Sequence, residues 1–193
     1  VSTMSLMREI RWHGRGGQGV VTAGELLAEV AMEEGKFFQS FPEYGAERMG
    51  APIKSYTRIS DEPIEYHCPI LEPEMVIVVN PNLVGAVDLT EGLEPDGTII
   101  INTIETPAVI RERLDFKGGE VWCVDASKIA REELKRDIPS TMMLAVVARA
   151  TGIIDLDATK EAARKTLGKR LRPEVVEANV RALQRAYDEC VEG

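Results

Sequence analysis

Cysteine is scarce in this 193-residue chain. Cys68, Cys123 and Cys190 are all it has, and no two lie close together. That spacing excludes a local C-x-x-C zinc motif and the four-cysteine run of a ferredoxin-type cluster. The odd count and the apolar surroundings predict buried thiols in a reducing, cytoplasmic setting. Aromatic residues make up only 5% of the chain, so any core must be aliphatic. Long apolar runs are missing as well. No segment reaches the roughly 18 uninterrupted apolar residues of a membrane helix. The opening Val1-Ser2-Thr3-Met4-Ser5-Leu6-Met7 lacks the basic start and apolar stretch of a signal peptide, so no leader is expected there. Basic residues are outnumbered, 23 Lys and Arg against 32 Asp and Glu, for a net charge of −9. Nucleic acid and anionic membrane surfaces are therefore not expected as partners, because both require a basic face.

What is present builds an α/β pattern. Hydrophobic residues reach 44%, enough for a real core, and the length suits a single domain over 1–193. Met7–His13 reads as a first strand and Val20–Glu34 as a helix, closed by Gly35. Glu25, Glu29 and Glu33 recur every four residues as a solvated stripe, with Ala23, Leu26, Leu27, Val30 and Ala31 filling the apolar side. Lys36–Phe41 is a second short strand, and Pro42–Pro52 has no period and reads as an ordered loop. Ile53–Ile59 and Ile64–Cys68 alternate on either side of the turn Ser60-Asp61-Glu62-Pro63, which predicts an antiparallel hairpin. Met75–Val79, Thr98–Ile101 and Glu120–Val124 are continuous apolar runs of the kind found in buried parallel strands. Four helices follow, at about 126–137, 140–151, 157–167 and 173–190, with Ser140 or Thr141 as a cap for the second and Pro173 in the first turn of the last. The expected fold is a three-layer α/β/α arrangement with a mostly parallel sheet, an antiparallel hairpin and a Rossmann-like start.

The most informative short segment is Gly14-Arg15-Gly16-Gly17-Gln18-Gly19, between the first strand and the first helix. Glycines let a backbone approach a ligand closely, and the N–H groups that open a helix point at anions. Gly14, Gly16 and Gly19 also fit G-x-G-x-x-G, the dinucleotide fingerprint. An NAD site requires a carboxylate at the end of the second strand, about 20 residues on, for the ribose hydroxyls. Lys36–Phe41 ends without one, and no arginine for NADP precedes Arg48. The phosphate half of the fingerprint is present and the ribose half is missing. Arg15 adds a guanidinium able to grip a phosphate bidentately. The plain alternative is a turn that only packs strand against helix. Asn80 and Asn102 end two of the parallel strands, where open α/β sheets border their ligand crevice, and are second-rank candidates.

Three blocks carry a family resemblance. Gly14–Gly19 followed by Val21-Thr22-Ala23-Gly24, the stretch Gln39-Ser40-Phe41-Pro42-Glu43-Tyr44-Gly45-Ala46-Glu47-Arg48-Met49-Gly50-Ala51-Pro52, and Arg58-Ile59-Ser60-Asp61-Glu62-Pro63-Ile64 together resemble the gamma subunit of 2-oxoacid:ferredoxin oxidoreductases. Weaker matches run through Asn102-Thr103, Val124-Asp125-Ala126, Ile138-Pro139-Ser140-Thr141 and the last helix, so the resemblance covers nearly the whole chain. It implies one gamma-type domain, similar to catalytic domain III of fused enzymes. It also implies a complex that decarboxylates a 2-oxoacid on thiamine diphosphate, passes electrons through iron–sulfur clusters to ferredoxin and transfers the acyl group to coenzyme A. Thiamine diphosphate, Mg and the 4Fe-4S clusters would sit on alpha, beta and delta partner subunits, with ferredoxin reached indirectly. This chain would hold no tightly bound cofactor, no metal and no catalytic residue of its own. Its glycine turn would contact coenzyme A, which needs no ribose-binding carboxylate because its 3′-phosphate would repel one. Pyruvate is the first choice of substrate, with 2-oxoisovalerate close behind.

The resemblance also gives the second block a role. Phe41, Pro42, Glu43, Tyr44, Gly45, Glu47, Arg48 and Gly50 would form a loop reaching a neighbouring subunit or the active-site entrance, where composition alone predicts only a solvated loop. Tyr44 and Phe41 can equally serve as its anchors. His13, His67, Cys68 and Cys123 read as structural. A purely structural assembly subunit and an independent NAD(P) enzyme are the two other readings.

Overall fold

A computed structural model describes residues 7–43, 50–65 and 67–193. One seven-stranded mixed sheet runs through it in the order β2-β3-β1-β4-β5-β6-β7. The strands are β1 (Arg8–Arg15), β2 (Phe37–Pro42), β3 (Pro52–Ser60), β4 (Met75–Val78), β5 (Thr98–Asn102), β6 (Glu120–Val124) and β7 (Val191–Glu192). Strands β1, β4, β5 and β6 are parallel, while β3 and β2 on one side and β7 on the other are antiparallel. The helices are α1 (Val20–Glu33), α2 (Pro107–Leu114), α3 (Ala126–Leu134), α4 (Ser140–Thr151), α5 (Leu156–Leu167) and α6 (Pro173–Glu189). A short 3-10 helix spans Pro81–Leu83.

Side-chain alternation along the strands separates two cores. On one face Ile10, Trp12, Ile59, Ile77, Ile100 and Trp122 pack with residues from α1 and α3–α6. On the other, Val76, Val78, Ile99, Ile101, Val121 and Cys123 are covered by Leu83, Val84, Leu89 and Ile110. Covering both faces accounts for the continuous apolar runs of β4, β5 and β6 and completes the three layers. The α1 stripe Ala23, Leu26, Leu27, Val30 and Ala31 is buried as its spacing predicts. Gly24 lets α1 lie close to the antiparallel strands. A Cβ there would sit 2.8 Å from Ser40 Oγ and 3.2 Å from Thr57 Oγ1.

The hairpin expected between Ile53–Ile59 and Ile64–Cys68 is not found: among the described residues of the second segment none is in a strand, and Tyr66 lies outside them. Strand β3 lies between β1 and β2, so both its edges are already used, and Pro63 and Pro69 flank a segment too short to compete. The antiparallel partner of β3 is β2, reached across residues 43–51. Pro42 and Pro52, expected in a loop, are the last residue of β2 and the first of β3. Helix α3 stops at Leu134, where Lys135 takes a left-handed conformation, rather than continuing to 137. The cap of α4 is Pro139, with Ser140 already inside the helix. Helix α2 and strand β7 carried no sequence signal strong enough to be expected. Cys123 and Cys190 are buried as expected, but Cys68 is exposed, in a segment whose described residues are not in a strand. The glutamate stripe of α1 is less free than expected. Glu29 accepts from the Thr166 hydroxyl, and Glu33 pairs with Lys165 of α5 at 2.7 Å.

Candidate functional site

The carboxyl ends of β1, β4 and β5 gather most of the singled-out residues. Strand β1 runs into the glycine turn, where Gly17 and Gly19 have φ of 89° and 77°. Both positions favour glycine on backbone grounds alone. The other glycines differ in purpose. A Cβ on Gly14 would lie 2.3 Å from Val20 Cγ2, and one on Gly19 would lie 2.6 Å from Ser140 Oγ. Packing therefore requires both. Among the described residues, a Cβ on Gly16 would meet nothing nearer than the Gly50 nitrogen at 3.7 Å, an ordinary contact. Gly16 and Gly17 are exposed.

The first helical bond of α1 runs from the Ala23 N–H to the Gly19 carbonyl at 2.9 Å. The N–H groups of Gly17, Gly19, Val20, Val21 and Thr22 have no acceptor among the described residues. Helix α1 has neither a side-chain cap nor an acidic residue in its first turn. Its positive end is thus open to an anion.

Gln18 holds the turn in shape. Its Oε1 accepts from the Arg15 N–H at 2.8 Å and from Asn80 Nδ2 at 3.2 Å. Asn80 in turn accepts from the Asn82 N–H at 3.0 Å and so caps the short 3-10 helix. Asn102 Nδ2 donates to the Val79 carbonyl and to Ser127 Oγ, both at 2.9 Å, while its Oδ1 accepts from the Ser127 N–H at 3.1 Å. Both asparagines stand at the crevice, but as braces between elements.

The turn also meets the second block. Arg15 Nη1 donates to the Gly50 carbonyl at 2.7 Å, and the Gly16 N–H donates to the Ala51 carbonyl at 3.4 Å. At the other end of that block, the Glu43 N–H donates to the Lys54 carbonyl at 3.0 Å. The Tyr56 hydroxyl donates to the Glu43 carboxylate, and burial followed by this contact pushes the phenol well above its ordinary range. The Phe41 ring lies 5.4 Å from that of Tyr56, with the Arg58 guanidinium 5.9 Å from its centre. Both ends of the block are fixed to the sheet. Tyr44, Gly45, Glu47 and Arg48 lie outside the described residues.

Beneath this lies a buried polar layer that sequence reasoning missed. Arg11 Nε donates to His13 Nε2 at 3.0 Å, and Arg11 Nη2 to the Leu89 carbonyl at 3.2 Å. Burial, with Arg11 and Lys54 adding to it, lowers the His13 pKa to about 3. The imidazole is neutral and braces Arg11, in agreement with a structural histidine. Arg58 Nε pairs with Glu9 at 2.6 Å, and Nη1 reaches the Cys68 carbonyl at 2.9 Å. The missed signal was strand alternation, which places Glu9, Arg11 and His13 on one face of β1.

Residues 9–189 match the model of a family described as pyruvate ferredoxin/flavodoxin oxidoreductase. The chain belongs to that family. It is similar to the pyruvate synthase subunit PorC of Thermotoga maritima, with 45% identity over 181 residues, 94% of this chain and 93% of the relative. The crystal structure of that subunit superposes with a TM-score of 0.85, covering 97% of this chain and 98% of the other. The pyruvate/ketoisovalerate oxidoreductases common subunit gamma of Thermococcus kodakarensis is 43% identical over 185 residues, 96% of this chain and 98% of the relative. A 2-oxoglutarate:ferredoxin oxidoreductase from Magnetococcus marinus shares the fold, with a TM-score of 0.74 at 19% identity, over 94% of this chain and 30% of that one.

Within the family the chain is of the gamma type, a subunit of a multisubunit 2-oxoacid:ferredoxin oxidoreductase. Among the described residues there is no cluster of three His, Cys, Asp or Glu that could hold a metal. None of the described helices is long and apolar enough to cross a membrane.

Proposed function

We propose that this chain is the single-domain gamma subunit of a pyruvate synthase and that its Gly14–Gly19 turn holds the phosphates of coenzyme A. The observation that carries this reading is the combination at the turn of unpaired N–H groups, an uncapped helix end and an exposed Gly16 that packing does not require. A phosphate fits such a donor set, and the absence of an acid at the start of α1 removes the repulsion that would oppose it. The relatives named for pyruvate support the substrate class, and the one named for both pyruvate and ketoisovalerate keeps 2-oxoisovalerate as a second substrate. The Magnetococcus enzyme was solved with coenzyme A and succinyl-CoA bound.

Coenzyme A supplies the thiol that takes up the acyl group. Thiamine diphosphate, Mg, the 4Fe-4S clusters and the route to ferredoxin belong to alpha, beta and delta subunits in a cytoplasmic complex. The work of this chain is to bind and to orient. Gln18 and Asn80 fix the turn, Arg15 ties it to Gly50, and Tyr56 holds Glu43 where the second block leaves the sheet. That block then faces a neighbouring subunit or the active-site entrance.

The test is Gly16→Ala in the reassembled complex. The added methyl meets no close contact among the described residues, so assembly and thermal stability are expected to hold. The KM for coenzyme A rises at least fivefold, with kcat for pyruvate oxidation nearly unchanged. An unchanged KM in an intact complex removes the turn from the coenzyme A site. It would favour a purely structural subunit, a reading supported by the packing roles of Gly14 and Gly19. NADH binding is not expected, because β2 ends at Phe41-Pro42 without a carboxylate.

A further inference from the structure

Strand β2 opens the sheet order, with β3 on one side and, among the described residues, no strand on the other. The direction of its main-chain groups follows from β3. The Gly16 N–H meets the Ala51 carbonyl on the edge of β3 toward β1, and the Glu43 N–H meets the Lys54 carbonyl on the edge toward β2. Hydrogen-bonded pairs recur at every second residue of an antiparallel ladder. Phe37, Gln39 and Phe41 therefore turn their main-chain groups toward Ser60, Arg58 and Tyr56. Phe38 and Ser40 turn theirs outward, and neither N–H has an acceptor among the described residues. This open stretch is bounded at both ends. The Lys36 N–H before it donates to the Ala31 carbonyl at 2.9 Å, and Pro42 after it has no N–H.

Folded proteins blunt such edges with charges, proline or shortness. At the opposite edge, β7 has only two residues and includes Glu192. Phe37–Phe41 carries no charge, and Phe37 and Phe38, on opposite faces, are 46% and 40% exposed.

We propose that the β2 edge is a strand-addition site, where an extended, uncharged segment of another subunit pairs with Phe38 and Ser40 as an eighth strand and lays apolar side chains beside Phe37 and Phe38. Only an extended backbone offers donors and acceptors at this spacing. A charge set against the two rings would lose water without gaining a counter-ion. The chain is one subunit of a multisubunit enzyme, so a second chain is at hand. Strand β2 also leads directly into Glu43 and the second block, the stretch assigned to a neighbouring subunit. Pairing with a second copy would bring together two chains of net charge −9 each, which opposes it. The proposal stands apart from what the glycine turn holds.

Amide hydrogen exchange, read residue by residue in the isolated chain and in the assembled complex, tests it. The Phe38 and Ser40 amides should exchange freely in the isolated chain and slow about a hundredfold or more on assembly. Those of Phe37, Gln39 and Phe41, already paired with β3, should be protected in both. Two variants then separate backbone from side chain. Phe38→Pro and Phe38→Ala both remove the ring, but only proline removes the outward N–H, at a position where no bond to β3 is lost. Phe38→Pro is expected to bind the remaining subunits about tenfold more weakly than Phe38→Ala, the scale of one main-chain hydrogen bond. Free exchange at Phe38 and Ser40 in the complex overturns the proposal. Protection already present in the isolated chain, and growing with its concentration, gives the edge to a second copy and overturns it as well. Equal affinities of the two variants would mean side-chain contact without strand addition. The exchange measurement uses the unaltered protein, so it decides the matter even where a variant fails to fold.

Discussion

On the parallel side of β1 the sheet is apolar on both faces, whereas on the antiparallel side only one face is. Strands β4, β5 and β6 bury Ile77 and Ile100 toward α4 and its neighbours, and Val76, Val78, Ile99 and Ile101 toward the opposite layer. Strands β1 and β3 bury Ile10, Trp12 and Ile59 on the helical face, but set Glu9, Arg11, His13, Tyr56 and Arg58 on the other. The parallel half is held by burial that does not depend on ionisation. The antiparallel half adds directional hydrogen bonds whose strength depends on which groups are charged. That half also fixes both ends of the second block, so the polar face supports the part of the molecule assigned to contact and positioning.

The contrast can be broken from either side. The largest effect is expected in the parallel half. Ile100→Ala opens a cavity at a fully buried site and should cost about 3–4 kcal/mol in denaturant unfolding. This loss should stay the same from neutral to mildly acid pH, and a strong pH dependence would contradict the distinction. The polar half should respond to acid instead. His13 stays neutral in the folded chain down to about pH 3 but takes a proton near the ordinary histidine value of 6.5 when unfolded. The unfolded state therefore binds more protons between those limits, and stability falls as pH drops through them, by about 1.4 kcal/mol per unit. At about pH 4 this amounts to roughly 3 kcal/mol. His13→Gln should flatten the stability curve by that amount, and parallel curves for the two proteins would show that His13 is not buried in its neutral form.

Smaller effects sharpen the boundary where α1 crosses the antiparallel strands. Thr57→Val deprives Trp12 Nε1 of its acceptor at 3.1 Å and should cost about 1–2 kcal/mol. Gly24→Ala presses a methyl against Ser40 Oγ, with a net cost of about 1 kcal/mol once the better helix propensity of alanine is counted. Ser40 Oγ is buried without a partner among the described residues, so Ser40→Ala alone should be neutral or mildly stabilising. In the Ser40→Ala background, Gly24→Ala should change sign and stabilise. Equal effects of Gly24→Ala in both backgrounds would show that the serine oxygen is not the obstacle.

The same division explains what the sequence made legible. Runs such as Met75–Val79 and Thr98–Ile101 announce themselves because both faces must be apolar, and helices α1, α4, α5 and α6 follow from their periodicity. The pairing of β3 was hidden. Alternation shows that Ile53, Ser55, Thr57 and Ile59 share a face but says nothing about which strands flank them. The glycine turn was visible as a motif, but the separate reasons for its glycines were not. Gly14 answers to Val20 and Gly19 to Ser140, and the second contact spans more than a hundred residues of sequence. Helix α2 gave no clear signal because only Pro107 and Ile110 of its eight residues are buried. The Arg11–His13 and Arg58–Glu9 contacts were readable only as charges in a strand until the fold closed over them.

The position of β1 between its antiparallel and parallel neighbours has a consequence for biosynthesis. A nascent chain that has emerged through Ser60 already carries β1, α1, β2 and β3, so the antiparallel half can pair before any of the parallel neighbours exists. At that stage Arg11 still lacks the Leu89 carbonyl and Arg58 the Cys68 carbonyl, both of which lie further along the chain. The charged layer therefore begins in water and is enclosed only as translation continues. Arg58 can already pair with Glu9 in that early sheet, since both lie on its strands, whereas Arg11 has only His13 until the chain through Leu89 arrives.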